Sequence, residues 1–163
     1  MKVLVTYFSK TGNTEKVARA IYDVIRTEKE FLPIYEVKDP DGYDLIFCGF
    51  PVHSHSVPLA VENFIKVIPP GKKVALFTTH GSLRGGKLAT TAIEHAISLA
   101  SKLKVLGTFG CRGKVEPKII EALLNQPEHR AWAETAKSAA NSPDESDLED
   151  ARQFAKKVMT ILA

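Results

Sequence analysis

Lys2-Val3-Leu4-Val5-Thr6-Tyr7-Phe8-Ser9-Lys10-Thr11-Gly12-Asn13-Thr14 is the stretch on which the fold turns. Its first half is a continuous apolar and β-branched run, the pattern of a strand buried on both faces of a parallel sheet. Its second half changes to small hydroxyl residues, one glycine and one asparagine. From Asn13 to about Arg26 the residues Val17, Ala18, Ile21, Val24 and Ile25 recur at helical spacing with charges between them. The order is strand, short polar loop, amphipathic helix.

The same alternation repeats along the chain. Phe31 to Val37 reads as a weak strand, Tyr43 to Phe50 as a strong one and Leu59 to Ile68 as a helix. Lys73 to Thr79 is a strand, Gly86 to Lys102 an alanine-rich helix and Lys104 to Cys111 a last strand. Five strands alternating with helices predict an α/β fold with a doubly wound parallel sheet. Extra helices follow. Pro117 to Leu124 reads as a short one, and Asn125 to Asn141, which contains Trp132, has no strong pattern. Ser142-Pro143-Asp144-Glu145 reads as a helix start, with serine as the cap, proline at the first helical position and glutamate completing a capping box. Leu148, Ala151, Phe154, Ala155, Val158, Met159 and Leu162 then form a buried stripe.

At 163 residues the chain is expected to be one domain, 1–163, with residues 112–143 as a helical excursion before the last helix. With 44% hydrophobic and 25% charged residues, the composition argues against a disordered or fibrous chain. No run reaches the length of a membrane helix and no signal peptide is evident, so membrane insertion is not expected and a cytoplasmic location is. A net charge of +3, carried on dispersed lysines, does not point to nucleic acid. Cys48 and Cys111 each lie in an apolar run and are expected to stay as free thiols.

In an open parallel sheet, ligands bind beyond the carboxyl ends of the strands. Three loops leave those ends. Ser9, Lys10, Thr11, Gly12, Asn13 and Thr14 offer hydroxyls, close backbone approach and a helix N-terminus, a combination suited to a phosphate. A simpler reading has Ser, Thr and Asn merely capping the helix. The second loop, Pro51-Val52-His53-Ser54-His55-Ser56-Val57-Pro58, and the third, Thr78-Thr79-His80-Gly81-Ser82-Leu83-Arg84-Gly85-Gly86, are rich in small polar residues. A receiver domain is excluded because Phe8-Ser9 and Phe50-Pro51 stand where it needs acidic residues. A P-loop enzyme lacks its Gly-Lys-Ser/Thr here, and a Rossmann dinucleotide turn lacks two of its three glycines. Three histidines, His53, His55 and His80, raise the question of a metal, but no carboxylate or cysteine joins them, so none is expected.

The sequence resembles the flavodoxin family, whose phosphate loop reads Ser/Thr-x-Thr-Gly-Asn-Thr. Ser9 to Thr14 match each specified position, and Asp44 to Pro51 look like the family's third strand running into its second flavin loop. The resemblance covers roughly residues 1–110. It implies the strand order 2-1-3-4-5 and non-covalently bound FMN, with the phosphate in the first loop. Pro51, Val52, His53, Ser54 and His55, with Thr78, Thr79, His80, Gly81 and Gly85, would hold the ring. The chain departs from the family in three respects. The flat side chains nearest the ring are histidines rather than tryptophan and tyrosine. The second loop has no glycine, the residue that eases the peptide turn by which flavodoxins offer a carbonyl to the flavin N5. Lys10, Arg84 and Lys87 replace the usual acidic rim, so they would attract an acidic redox protein partner or the phosphates of NAD(P)H. An electron carrier between protein partners, an FMN-dependent NAD(P)H reductase of a quinone or other small acceptor, and a flavin-free binding module are the functions left open.

Overall fold

The computed structural model describes residues 1–52, 56–81 and 86–162. Its five strands are β1 (Lys2–Tyr7), β2 (Glu28–Pro33), β3 (Leu45–Pro51), β4 (Lys73–His80) and β5 (Lys104–Arg112). All neighbours pair in parallel, in the order β2-β1-β3-β4-β5. The helices described are α1 (Asn13–Val24), α2 (Leu59–Val67), α3 (Lys87–Leu99), α4 (Pro117–Leu124), α5 (Arg130–Lys137) and α6 (Glu145–Leu162).

Strand alternation sorts the core into two layers. Val3, Val5, Phe47 and Phe77 point to the face covered by α1 and α6, where Val17, Ile21, Ala151 and Ala155 meet them. Leu4, Ile46, Cys48 and Leu76 point to the other face, under Val61, Phe64 and Ile65 of α2 and Ala96 of α3. Burying each large apolar side chain contributes about 1.5–3 kcal/mol, so strands lined on both faces cannot be exchanged for edge strands. The cysteines belong to opposite layers, Cys48 on β3 and Cys111 on β5, with β4 between them, and they are not bridged by a disulfide. Among the described residues no helix is long and apolar enough to cross a membrane.

Two boundaries differ from the sequence expectation. The second strand runs over Glu28–Pro33 rather than Phe31 to Val37, and Ile34–Glu36 form a short 3-10 turn. As an edge strand β2 has only half-buried or exposed residues, so charged Glu28, Lys29 and Glu30 take part in pairing. Its ladder stops at Pro33, and Ile34 beyond it plugs the core from the turn. The last helix begins at Glu145, and its cap is Asp144 rather than Ser142. The Asp144 carboxylate accepts from the amide of Asp147 and the Asp147 carboxylate accepts from that of Asp144, both at 2.9 Å. That reciprocal pair is the capping box, with Asp147 in the place assigned to Glu145.

Candidate functional site

The first loop leaves β1 with the Phe8 amide still donating to the Gly49 carbonyl on β3, at 2.9 Å. Ser9 then turns back. Its hydroxyl accepts from the Gly12 amide at 3.1 Å, closing the loop on itself. Gly12 stands at φ 92°, a left-handed conformation that residues with a Cβ rarely adopt, and the space a Cβ would occupy is empty to 4 Å. It is also the cap position of α1, and no side chain caps that helix. By helix geometry the amides of Asn13, Thr14 and Glu15 have no acceptor within the helix. The loop is thus an open set of donors at the positive end of a helix dipole. Lys10 and Thr11 are exposed at its tip, and Ser9, Gly12 and Asn13 are half-exposed.

The remaining two side chains of the loop are bonded to other parts of the protein. The Asn13 amide nitrogen donates to the Lys114 carbonyl at 2.9 Å. The Thr14 hydroxyl is buried and lies 2.8 Å from the Thr79 hydroxyl on β4. Beside the loop, the Tyr7 hydroxyl donates to Glu15 at 3.2 Å, and burial together with that carboxylate raises the Tyr7 pKa.

The second loop is anchored at both ends. Pro51 closes β3, and the Val52 amide donates to the Thr79 carbonyl at 2.9 Å, so it is spent on the sheet. At the far end the Ser56 hydroxyl and His95 Nδ1 on α3 are 2.7 Å apart, and Val57 and Pro58 are buried. The third loop begins later than the sequence suggests, because Thr78, Thr79 and His80 belong to β4 and are 0%, 2% and 5% exposed. The buried His80 is therefore not an open ring in a loop. Its imidazole packs over Gly110 of β5. Gly81 is the first residue beyond the strand. His53, Ser54, His55 and Gly85, along with Arg84 of the expected basic rim, lie outside the described residues.

The structure adds a fourth segment that sequence reasoning left as surface. Arg112, at the end of β5, donates from Nη2 to the carbonyls of Gly81 at 3.2 Å and Thr135 at 2.6 Å. Its Nη1 donates to the Ser138 hydroxyl at 2.7 Å. The excursion through α4 and α5 is thereby fastened to the third loop, and through Lys114 to the first. A lone tryptophan in an otherwise patternless stretch was the signal available for it.

Residues 4–156 match the family model described as flavodoxin domain. The chain belongs to the flavodoxin domain family. It is 33% identical over 171 residues to the flavodoxin-like domain-containing protein BilS of Clostridioides difficile, an alignment that covers 98% of this chain and 97% of that protein. Oxidised flavodoxin 2 of Bacillus cereus superposes with a TM-score of 0.66 at 21% identity, covering 98% of this chain and 99% of that one. A flavoprotein from Lactobacillus acidophilus, solved in complex with FMN, superposes with a TM-score of 0.56 at 22% identity, covering 67% and 92%. The cofactor of this flavodoxin-domain protein is FMN, and the uncapped α1 terminus beneath open space at Gly12 fits its phosphate.

Proposed function

We propose that this flavodoxin-domain protein carries electrons between redox protein partners, using FMN held with its phosphate over Gly12. The observation that carries the reading is the first loop, an anion cradle with unspent amides at the edge of the sheet where such folds bind ligands. When bound, FMN supplies transfer of one or two electrons. Thr11 would donate its hydroxyl to the phosphate, the α1 amides would hold the phosphate oxygens, and Lys10 would offset their charge. Thr14 supports the cradle from below, since its hydroxyl pairs with Thr79 and its backbone begins the helix. The exposed Lys10 and Lys87 favour a partner with an acidic docking face. A cytoplasmic location suits two buried cysteines that form no disulfide.

A second reading, an FMN-dependent reductase that takes hydride from NAD(P)H, is favoured by the same lysines, which would attract a dinucleotide's phosphates. Mixing the FMN-loaded protein anaerobically with NADPH or NADH separates the two. Flavin absorbance that persists for minutes supports the carrier; bleaching within seconds overturns it in favour of the reductase.

A further inference from the structure

Two glycines mark where the α4–α5 excursion meets the cofactor loops. At Gly113 a Cβ would come within 2.7 Å of the Asn13 side-chain nitrogen, so the chain leaving β5 runs closely against the head of α1. There the Gly113 amide donates to the His80 carbonyl at 2.8 Å, and Lys114 receives the Asn13 amide. At Gly81 a Cβ would fall 2.5 Å from Val115 Cγ2 and 3.2 Å from Trp132 Cζ2. The indole edge thus rests on the backbone where the third loop begins. Arg112 locks this arrangement by bridging Gly81 to the carbonyl end of α5, the pole of a helix that favours a cation.

Trp132 is the sole tryptophan of the chain and is only half-buried. Trp132 thus keeps part of its surface open where the third loop begins at Gly81, and its segment reaches the first loop through Gly113 and Lys114. The second loop has no phenylalanine, tyrosine or tryptophan between Pro51 and Pro58. We infer that the segment from Arg112 to Ser138 is a further wall of the FMN site and that Trp132 is its aromatic contact with the flavin. This rests on the FMN reading. Stacking or edge contact between an indole and a flavin favours both flavins equally, because it does not involve the phosphate.

The test uses the full-length chain with FMN and riboflavin as probes. Oxidative footprinting read by mass spectrometry should show Trp132 modified severalfold more slowly when FMN is saturating. Trp132→Ala should weaken FMN and riboflavin alike, by about tenfold, and Trp132→Phe should restore most of that loss. Equal oxidation of Trp132 with and without bound FMN overturns the inference, as does a folded Trp132→Ala that binds both flavins like the wild type. If Trp132→Ala does not fold, the footprint of the wild-type chain decides alone. A wild-type chain that takes up neither flavin overturns the FMN reading itself, a different result from FMN bound with Trp132 unprotected.

Discussion

The hydroxyls of Thr14 and Thr79 lie 2.8 Å apart in the interior, joining the first turn of α1 to β4 three strands' width from the sheet's β2 edge. The head of α1, where the first loop ends, is thus registered to the end of β4, where the third loop begins, by a buried hydrogen bond. Thr79→Val leaves the Thr14 hydroxyl buried without that partner, which should cost about 1–3 kcal/mol of stability in urea unfolding. The double variant Thr14→Val with Thr79→Val removes both polar groups at nearly constant shape and should recover most of the loss. A double variant as unstable as the sum of the singles would show that the pair is not the relevant contact.

Of the first loop's hydroxyls only that of Thr11 is exposed at the tip, since Ser9 turns back to Gly12 and Thr14 inward to Thr79, and on the proposed reading it would donate to the phosphate. Thr11→Ala removes a hydrogen bond to a charged group, a loss of about tenfold to a hundredfold in FMN affinity. Riboflavin has no phosphate and should bind unchanged. Calorimetry with both ligands checks this, and equal losses would move the phosphate elsewhere.

Cys48 and Cys111 should remain unbridged, because two strand spacings, roughly 9–10 Å, separate their strands and they face opposite layers. Burial pushes the Cys48 thiol up to about 12. Iodoacetamide at pH 8 should leave Cys48 unlabelled in the folded chain and modify it in urea. In the unfolded chain the thiol ionises from its ordinary pKa of 9.0, so the stability it contributes is complete below that pH and declines as pH rises toward 12. Unfolding free energy of the wild type should therefore fall more steeply with pH in this window than that of Cys48→Ala.

The two electrons are expected to enter bound FMN at nearly the same potential. Each residue from Val52 to Val57 carries a Cβ, which opposes a left-handed turn of the second loop by roughly 1–2 kcal/mol. That is about a tenfold shift in the equilibrium between one-electron and two-electron forms. A potentiometric titration followed by visible absorbance reads it directly, and two well-separated waves would refute the argument from the missing glycine.

How much could be read in advance depends on where each residue sits. β1, β3 and β4 are covered on both faces, so their runs are apolar from end to end and stand out in the chain. β2 is an edge, where Glu28, Lys29 and Glu30 satisfy ladder hydrogen bonds with their backbone and solvent with their side chains; periodicity alone favoured the apolar residues just beyond it. The α6 cap was misplaced because serine, proline, aspartate and glutamate all suit a helix start, and only hydrogen-bond geometry selects Asp144 and Asp147. Ser9 to Thr14 stand out in the chain because a loop that turns on Gly12 at the head of α1 is a local object, written in consecutive residues. The contacts of Arg112 with Gly81 and Thr135 are not local. They join residues 31 and 23 positions apart, and nothing in the spacing of either announces the other.

The packing of α6 on α1 has a consequence for synthesis. Val17, Ala18 and Ile21 lie in the layer that Ala151, Ala155 and Val158 complete, so the helix that follows the first loop is sealed by residues made more than a hundred positions later. A nascent chain with all five strands already out of the ribosome still has that face of α1 open to water, and its first loop stands on an unfinished foundation. On the proposed reading cofactor capture should wait for translation of α6, and ribosome-bound chains stalled before Glu145 should remain colourless where released ones turn yellow.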